Sequence, residues 1–216
     1  MIDLTSALAQ LPLVAILRGI RPDEIDAAAD VLVEAGFRLI EVPLNSPDPL
    51  VSIERLARRV GNAALVGAGT VLSVEQVGQV QDAGGVLIVS PNTNVAVISE
   101  SARRGLVSLP GYFTPSEAFA ALEAGASGLK LFPAEAATPA VVKAQRAVLP
   151  KGVPLLAVGG ITPTNMEPWR QAGADGFGLG SALYRSVMTA TELGANARSF
   201  AQAFAALTAN EGTTRA

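Results

Sequence analysis

Residues 128–133, Gly128-Leu-Lys-Leu-Phe-Pro133, form a short apolar run with a single lysine at its centre. The run is too short for a typical helix, and it leads into Thr138-Pro139, a pair that commonly opens one. A buried strand followed by a helix is the repeating unit of parallel α/β proteins. The segment therefore predicts a βα unit with a lysine on its strand.

The same unit recurs along the chain at intervals of about 20–25 residues. Helix starts are expected at Pro22-Asp-Glu, at Ser73 with Gln76, at Thr114-Pro-Ser-Glu117 and at Thr162-Pro-Thr-Asn165. Ala-Gly pairs at 35–36, 83–84, 124–125 and 172–173 are typical of helix ends. The expected strands are Leu13–Leu17, Arg38–Leu44, Ala64–Gly69, Val86–Ser90, Val107–Pro110, Gly128–Phe132, Leu155–Val158 and Gly176–Leu179.

Eight such units in 216 residues predict an α/β protein of the (β/α)8 TIM-barrel class. A doubly wound open sheet is the alternative, but it would need a phosphate-binding fingerprint after the first strand. The segment Leu17-Arg-Gly-Ile20 does not have that form. We expect one domain over residues 1–216, with a peripheral polar tail after about Leu207.

The composition of the chain argues against several classes of binding partner and site. The chain has 16 basic and 19 acidic residues and a net charge of −3, which argues against a nucleic-acid surface. No apolar stretch approaches the roughly 18–20 residues that span a bilayer, and the first residues lack the basic start of a signal peptide. We expect a cytoplasmic protein. The absence of cysteine excludes disulfides and thiolate metal sites, and no cluster has metal-ligand form.

Lys130 is unusual because the other two lysines, Lys143 and Lys151, lie in polar surroundings. An ammonium group on a buried strand is costly to desolvate, which favours the neutral amine. A neutral amine is a nucleophile for carbonyl carbon. If Leu129 and Leu131 contact the outer helices, Lys130 points into the barrel with Phe132 on the same face. The alternative is a structural lysine that extends from a strand edge or pairs with a carboxylate.

Glu41 is a second isolated charge, within Leu39-Ile-Glu-Val-Pro43. Burial would raise the pKa of its carboxyl group toward neutrality, where it can accept and donate protons. The alternative is an ion pair that only neutralises charge. Arg18 follows the first strand, and its guanidinium group suits a substrate carboxylate or phosphate. It could equally be a rim arginine that caps a helix.

Glycines after the last two strands predict a phosphate site. Val158-Gly159-Gly160-Ile161 and the segment 178–182, which contains Gly180 and Ser181, occupy positions where barrels bind phosphate through backbone N–H groups. Thr70, after the third strand, could place a hydroxyl at the same end. Tight turns are the alternative explanation for these glycines.

Three functions remain open at this point. Lys130 could form a covalent intermediate with a keto acid. It could instead contact phosphate or an enolate in a metal-dependent or proton-shuttling barrel that acts on a phosphosugar. A non-catalytic barrel that binds phosphorylated metabolites is the third possibility.

The motifs together resemble the 2-keto-3-deoxy-6-phosphogluconate and -galactonate aldolases, class I pyruvate lyases on a (β/α)8 barrel. The matching segments are Leu11–Gly19, Ile40–Pro47, Val66–Val71, Ser90–Asn92, Leu129–Ala134, Ala157–Gly160 and Gly178–Tyr184. The resemblance implies a phosphorylated keto sugar acid as substrate, pyruvate as a product, no metal or other cofactor, and a homotrimer.

The resemblance also implies roles for individual residues. Lys130 would be the Schiff-base lysine and Glu41 the acid/base. Thr70 would lie beside the pyruvate carboxylate, Pro91 and Phe132 would be pocket walls, and Gly159, Gly160 and Ser181 would bind phosphate. Arg18 on the first strand and Val158 before the glycine pair resemble the galactonate-type branch. Ala134-Glu135 is closer to the gluconate-type pattern.

Overall fold

The structure is a computed structural model that describes residues 2–214, with side chains described as far as residue 209. The strands are β1 Leu13–Ile16, β2 Leu39–Pro43, β3 Leu65–Gly69, β4 Leu87–Val89, β5 Val107–Leu109, β6 Gly111–Tyr112, β7 Leu129–Leu131, β8 Leu155–Val158 and β9 Gly176–Leu179. The α-helices are α1 Leu4–Gln10, α2 Ile25–Glu34, α3 Pro49–Val60, α4 Val74–Asp82, α5 Val95–Arg103, α6 Pro115–Glu123, α7 Pro139–Arg146, α8 Met166–Gln171 and α9 Ala190–Thr214.

All strand pairings are parallel, in the order β5-β4-β3-β2-β1-β9-β8-β7-β6. The first and last strands in this order are separated in the chain only by Pro110. The sheet therefore closes on itself through the backbone. The expected (β/α)8 barrel is confirmed, with a helix between each pair of successive strands except β5 and β6.

The fifth expected strand, Val107–Pro110, is divided into β5 and β6. Proline cannot donate a ladder hydrogen bond, so the strand is interrupted there. The Lys130 amide donates to the Pro110 carbonyl at 3.0 Å, and the Gly111 amide donates to the Ser90 carbonyl at 2.9 Å. This bent segment thus joins β4 on one side to β7 on the other.

The helix starts are partly as expected. Ser73 and Thr114 each form a capping box, and α7 begins at Pro139. By contrast, α2 begins at Ile25 and α8 at Met166, because short turns follow Pro22 and Thr162 before the helices start. The polar stretch after Leu207 continues helix α9 as far as Thr214. No helix in the described part of the chain is both long and apolar enough to cross a bilayer.

Alternate strand residues divide the core into two layers. Outward residues pack under the helices, and they include Leu129 and Leu131 of β7. Inward residues form a separate cluster inside the barrel, to which α1 contributes Ala7. The inner cluster comprises Val14, Ile16, Leu39, Leu65, Leu87, Val89, Leu109, Leu156 and Val158, besides Ala7. The barrel interior is therefore a packed apolar medium, and any charge placed in it loses its hydration.

Candidate active site

Two inward positions of the barrel carry charged side chains. Glu41 alternates with Ile40 and Val42, which belong to the outer core, and its side chain is 2% exposed. Lys130 lies between the outward residues Leu129 and Leu131 and is 7% exposed. The structure thus places both side chains inside the barrel, as the strand period predicts.

Burial without a close partner shifts both groups toward their neutral forms. Desolvation raises the pKa of Glu41 to about 7, although the positive charges of Lys130 and Arg18 oppose the shift. Desolvation also lowers the pKa of Lys130, with Arg18 acting in the same direction and Glu41 against it. Within the described residues, Glu41 Oε2 has no hydrogen-bond partner. The site therefore combines a carboxyl group that can exchange protons near neutrality with an amine whose pKa is lowered.

Glycine provides the space for the Glu41 carboxyl group. A Cβ atom on Gly69 would lie 1.6 Å from Glu41 Oε2 and 2.3 Å from its Cδ, far inside van der Waals contact. Gly178, on the inner face of β9, lines a cavity of about 10 Å³ together with Glu41 and Lys130. This volume is close to the roughly 10–15 Å³ that one water molecule needs.

A larger cavity lies above this pair at the carboxyl ends of the strands. Its volume is about 780 Å³, and Ile16 and Val158 line both this cavity and the small inner one. The mouth cavity, as we call it, brings together seven of the predicted site residues: Arg18, Phe132, Val158, Gly159, Gly160, Gly180 and Ser181. It lies within the usual size of a small-molecule site.

Phe132 lines the mouth cavity and lies close to Lys130. Its ring centroid lies 4.7 Å from Lys130 Nζ, as expected for residues on one face of the strand. Arg18 lies two residues beyond the end of β1, in a turn, and its Nη1 donates to Asn45 Oδ1 at 2.7 Å. This partner is a loop side chain, so Arg18 is directed along the mouth rather than toward a helix end.

The glycine pair after β8 has a backbone that favours glycine. Gly159 has φ 116° and Gly160 has φ 67°, both in the left-handed region. Asn165 Nδ2 donates to the Gly160 carbonyl at 2.8 Å, and Asn165 Oδ1 accepts from the Thr162 amide at 2.9 Å. Side-chain hydrogen bonds therefore hold the turn that carries the predicted phosphate site.

Thr70 and Pro91 lie in the segments that follow β3 and β4. Thr70 directly follows β3 and Pro91 lies two residues after β4, but neither is among the described residues that line the mouth cavity. Thr70 has φ 58°, a left-handed conformation that a β-branched residue rarely adopts. It directly follows Gly69, which packs against Glu41, so a strained residue adjoins the buried carboxyl group.

The mouth cavity also has lining residues to which the motif analysis gave no binding role, among them Glu135, Tyr184 and Arg185. The carboxylate of Glu135 lies against the glycine pair, since a Cβ on Gly159 would be 2.4 Å from Glu135 Oε2. Arg185 is four residues beyond Ser181, and its Nε donates to the Ser181 carbonyl at 3.1 Å. In the sequence, only the position of Arg185, four residues after Ser181, indicates that its side chain could reach the same turn.

Replacement of Lys130 by methionine should raise the pKa of Glu41 above its value of about 7, because the nearby positive charge that favours the carboxylate is lost. The measurement is a pH titration of ¹³C-labelled glutamate carboxyl groups by NMR, with the Glu41 signal assigned from its loss in Glu41→Gln. Lys143→Met, on the exposed side of α7, is the matched control and should leave the Glu41 pKa unchanged. An unaltered Glu41 pKa in Lys130→Met would show that the two groups do not interact.

The chain is similar in sequence and in fold to known proteins. A family model described as KDPG and KHG aldolase matches residues 4–195. A probable 2-dehydro-3-deoxy-6-phosphogalactonate aldolase from Rhizobium meliloti (strain 1021) is 49% identical over 182 residues, which cover 84% of this chain and 86% of the relative. The 2-dehydro-3-deoxy-6-phosphogalactonate aldolase of Escherichia coli (strain K12) is 46% identical over 195 residues, 90% of this chain and 95% of the relative.

A solved structure described as native KDPGal superposes with a TM-score of 0.91 at 45% sequence identity, covering 92% of this chain and 97% of that one. The match in sequence and the match in fold extend over nearly the same part of the chain. The resemblance inferred from the motifs is confirmed, and the chain belongs to the KDPG and KHG aldolase family.

Proposed function

We propose that the protein cleaves 2-dehydro-3-deoxy-6-phosphogalactonate to pyruvate and D-glyceraldehyde 3-phosphate through a Schiff base on Lys130. The observation that carries the proposal is the inward, buried pair of Lys130 and Glu41 beneath the mouth cavity. The names of the two relatives described above support the substrate. Membership of an aldolase family makes a carbon–carbon lyase the expected enzyme class.

The first stage joins the substrate to the enzyme. The neutral Lys130 amine adds to the ketone at carbon 2 and forms a carbinolamine. Glu41, acting through a water molecule, then moves protons so that the carbinolamine loses water and becomes an iminium ion. The lowered pKa of Lys130 favours the addition, and the Glu41 pKa near 7 suits both directions of proton transfer.

The second stage breaks the bond between carbons 3 and 4. The proton on the carbon-4 hydroxyl passes to the Glu41 carboxylate through the water, and the bonding electrons move into the iminium ion to form an enamine. Glyceraldehyde 3-phosphate leaves as the aldehyde. Protonation of the enamine at carbon 3, followed by hydrolysis of the iminium ion, releases pyruvate and restores the Lys130 amine.

Two anchors would align the scissile bond above the pair. Arg18 and Thr70 would hold the substrate carboxylate, while the Gly159–Gly160 pair and Ser181 would hold the phosphate. The mouth cavity contains both Arg18 and the glycine pair, which supports binding of a single substrate at both ends. Arg18 and Val158 resemble the galactonate-type branch, which supports the galactonate epimer, whereas Ala134-Glu135 is closer to the gluconate-type pattern.

We also propose that the chain acts as a single domain in a cytoplasmic homotrimer. An apolar surface near the starts of α4, α5 and α6 supports self-association, because Leu72, Val95 and Phe113 are 48%, 52% and 38% exposed. Asn94 Nδ2 donates to the Leu72 carbonyl at 3.2 Å, which links the first two of these segments. A cytoplasmic location suits an enzyme whose substrate carries a phosphate group that does not cross membranes freely.

Incubation with pyruvate and borohydride should attach a reduced adduct to Lys130, because the reagent converts the iminium ion into a stable secondary amine. Peptide mass spectrometry locates the adduct. Lys130→Ala should lose both the adduct and pyruvate release, whereas Lys143→Ala should retain both. An intact wild-type enzyme that releases pyruvate without any trapped adduct would rule out the covalent route.

Glu41→Gln should lower kcat by about 10²- to 10⁴-fold, the usual contribution of a general acid/base. In the wild type, kcat/KM should rise with pH and level off above about 7, since the carboxylate is the form that accepts the proton. The variant should lack this ionisation yet still form a trapped adduct slowly. Superimposable pH profiles for the two proteins would contradict the role of Glu41.

Separate assays with the two carbon-4 epimers should give the higher kcat/KM for 2-dehydro-3-deoxy-6-phosphogalactonate. The coupled measurement of pyruvate release uses the same enzyme concentration and buffer for each epimer. Preference for the gluconate epimer would retain the aldolase chemistry and reject the proposed substrate.

A further inference from the structure

Arg185 is a charged residue in the mouth cavity to which the family resemblance assigned no role. It lines the cavity beside Gly159, Gly160 and Ser181, and its side chain is exposed. Among the described residues, no carboxylate lies within 4.0 Å of its guanidinium nitrogens. Its positive charge is therefore available to a ligand.

The hydrogen bond from Arg185 Nε to the Ser181 carbonyl, at 3.1 Å, sets the direction of the guanidinium group. This bond uses one of the five N–H donors of the arginine and leaves the terminal nitrogens for other acceptors. It also connects Arg185 to the turn that carries the Ser181 hydroxyl. Arginine in such a fixed position can bind two phosphate oxygens at once.

The negative charge of Glu135 in the mouth cavity would oppose phosphate binding unless a positive charge lies nearby. Its carboxylate lies against Gly159, where the proposed phosphate would approach. A phosphate dianion bound only by backbone N–H groups would face a carboxylate at short range, which is unfavourable. Arg18 has Asn45 as its partner and is assigned to the other end of the substrate. Arg185 is then the cation best placed to offset the repulsion.

We propose that Arg185 determines specificity by binding the substrate phosphate together with the glycine pair and Ser181. The proposal rests on the proposed function and extends it: Arg185 distinguishes phosphorylated keto sugar acids from the same acids without phosphate. It is a binding residue remote from the reacting carbons, so it acts on substrate affinity and leaves the Schiff-base chemistry to Lys130 and Glu41.

Arg185→Gln should raise KM for the phosphorylated substrate by roughly tenfold to a hundredfold with little change in kcat, the expected loss of a charge-assisted hydrogen-bonded contact. The ratio of kcat/KM for the phosphorylated acid to that for its unphosphorylated analogue should fall by a similar factor. Arg185→Lys should recover part of the ratio, because it keeps the charge and loses the planar fork. Arg58→Gln, an exposed arginine on α3 that makes the same change in charge, is the control and should leave the ratio unaltered.

An equal loss of kcat/KM on both substrates would mean that Arg185 only shapes the Ser181 turn, and an unchanged ratio would mean that it does not contact phosphate. Either result overturns the proposal.

Binding of inorganic phosphate, measured by titration calorimetry, tests the residue without turnover. Arg185→Gln should bind phosphate at least tenfold more weakly than the wild type. If the wild type fails to cleave the sugar acid but this difference persists, the proposed function fails and the phosphate site stands. Equal phosphate binding by the two proteins overturns the site.

Discussion

The burial of one carboxyl group and one amine inside an apolar barrel is the constraint on which the proposed chemistry depends. Glu41 and Lys130 attract each other, yet desolvation is the largest influence on each, and it moves both pKa values toward the range where protons are exchanged. A tight ion pair would hold Glu41 ionised and Lys130 protonated. Without such a pair, desolvation favours the neutral form of Lys130, which is the form that the proposed nucleophilic attack requires.

The barrel creates this environment through small residues at inward positions. Gly69 leaves the space that the Glu41 carboxyl group occupies, and Gly178 opens the inner face of β9. The neighbouring inward positions carry branched aliphatic side chains such as Ile16 and Val158. One layer of the interior therefore has room for two polar side chains and a small cavity, while aliphatic side chains fill the other inward positions.

The groups proposed for catalysis lie deeper in the barrel than the groups proposed for substrate recognition. The buried pair lies under Phe132, and the groups suited to anions lie in the mouth cavity above, on turns that follow β1, β8 and β9. Hydrogen bonds from Asn165 and Arg185 hold two of these turns. If the loops bear the recognition groups, as we propose, changes in their sequence would alter the preferred substrate while the strands retain the reaction.

The sequence by itself determined the repeating βα pattern, the capping boxes at Ser73 and Thr114, and the strand face that Lys130 shares with Phe132. These features depend on residues a few positions apart, so local spacing is sufficient to predict them. Only the tertiary structure decided that Pro110 divides a strand, that Gly69 accommodates Glu41, and that Glu135 and Arg185 share the mouth with the glycine pair. The physical reason is that strand period specifies a face of the sheet, whereas contacts between strand ends and the desolvation of a charge depend on segments far apart in the chain.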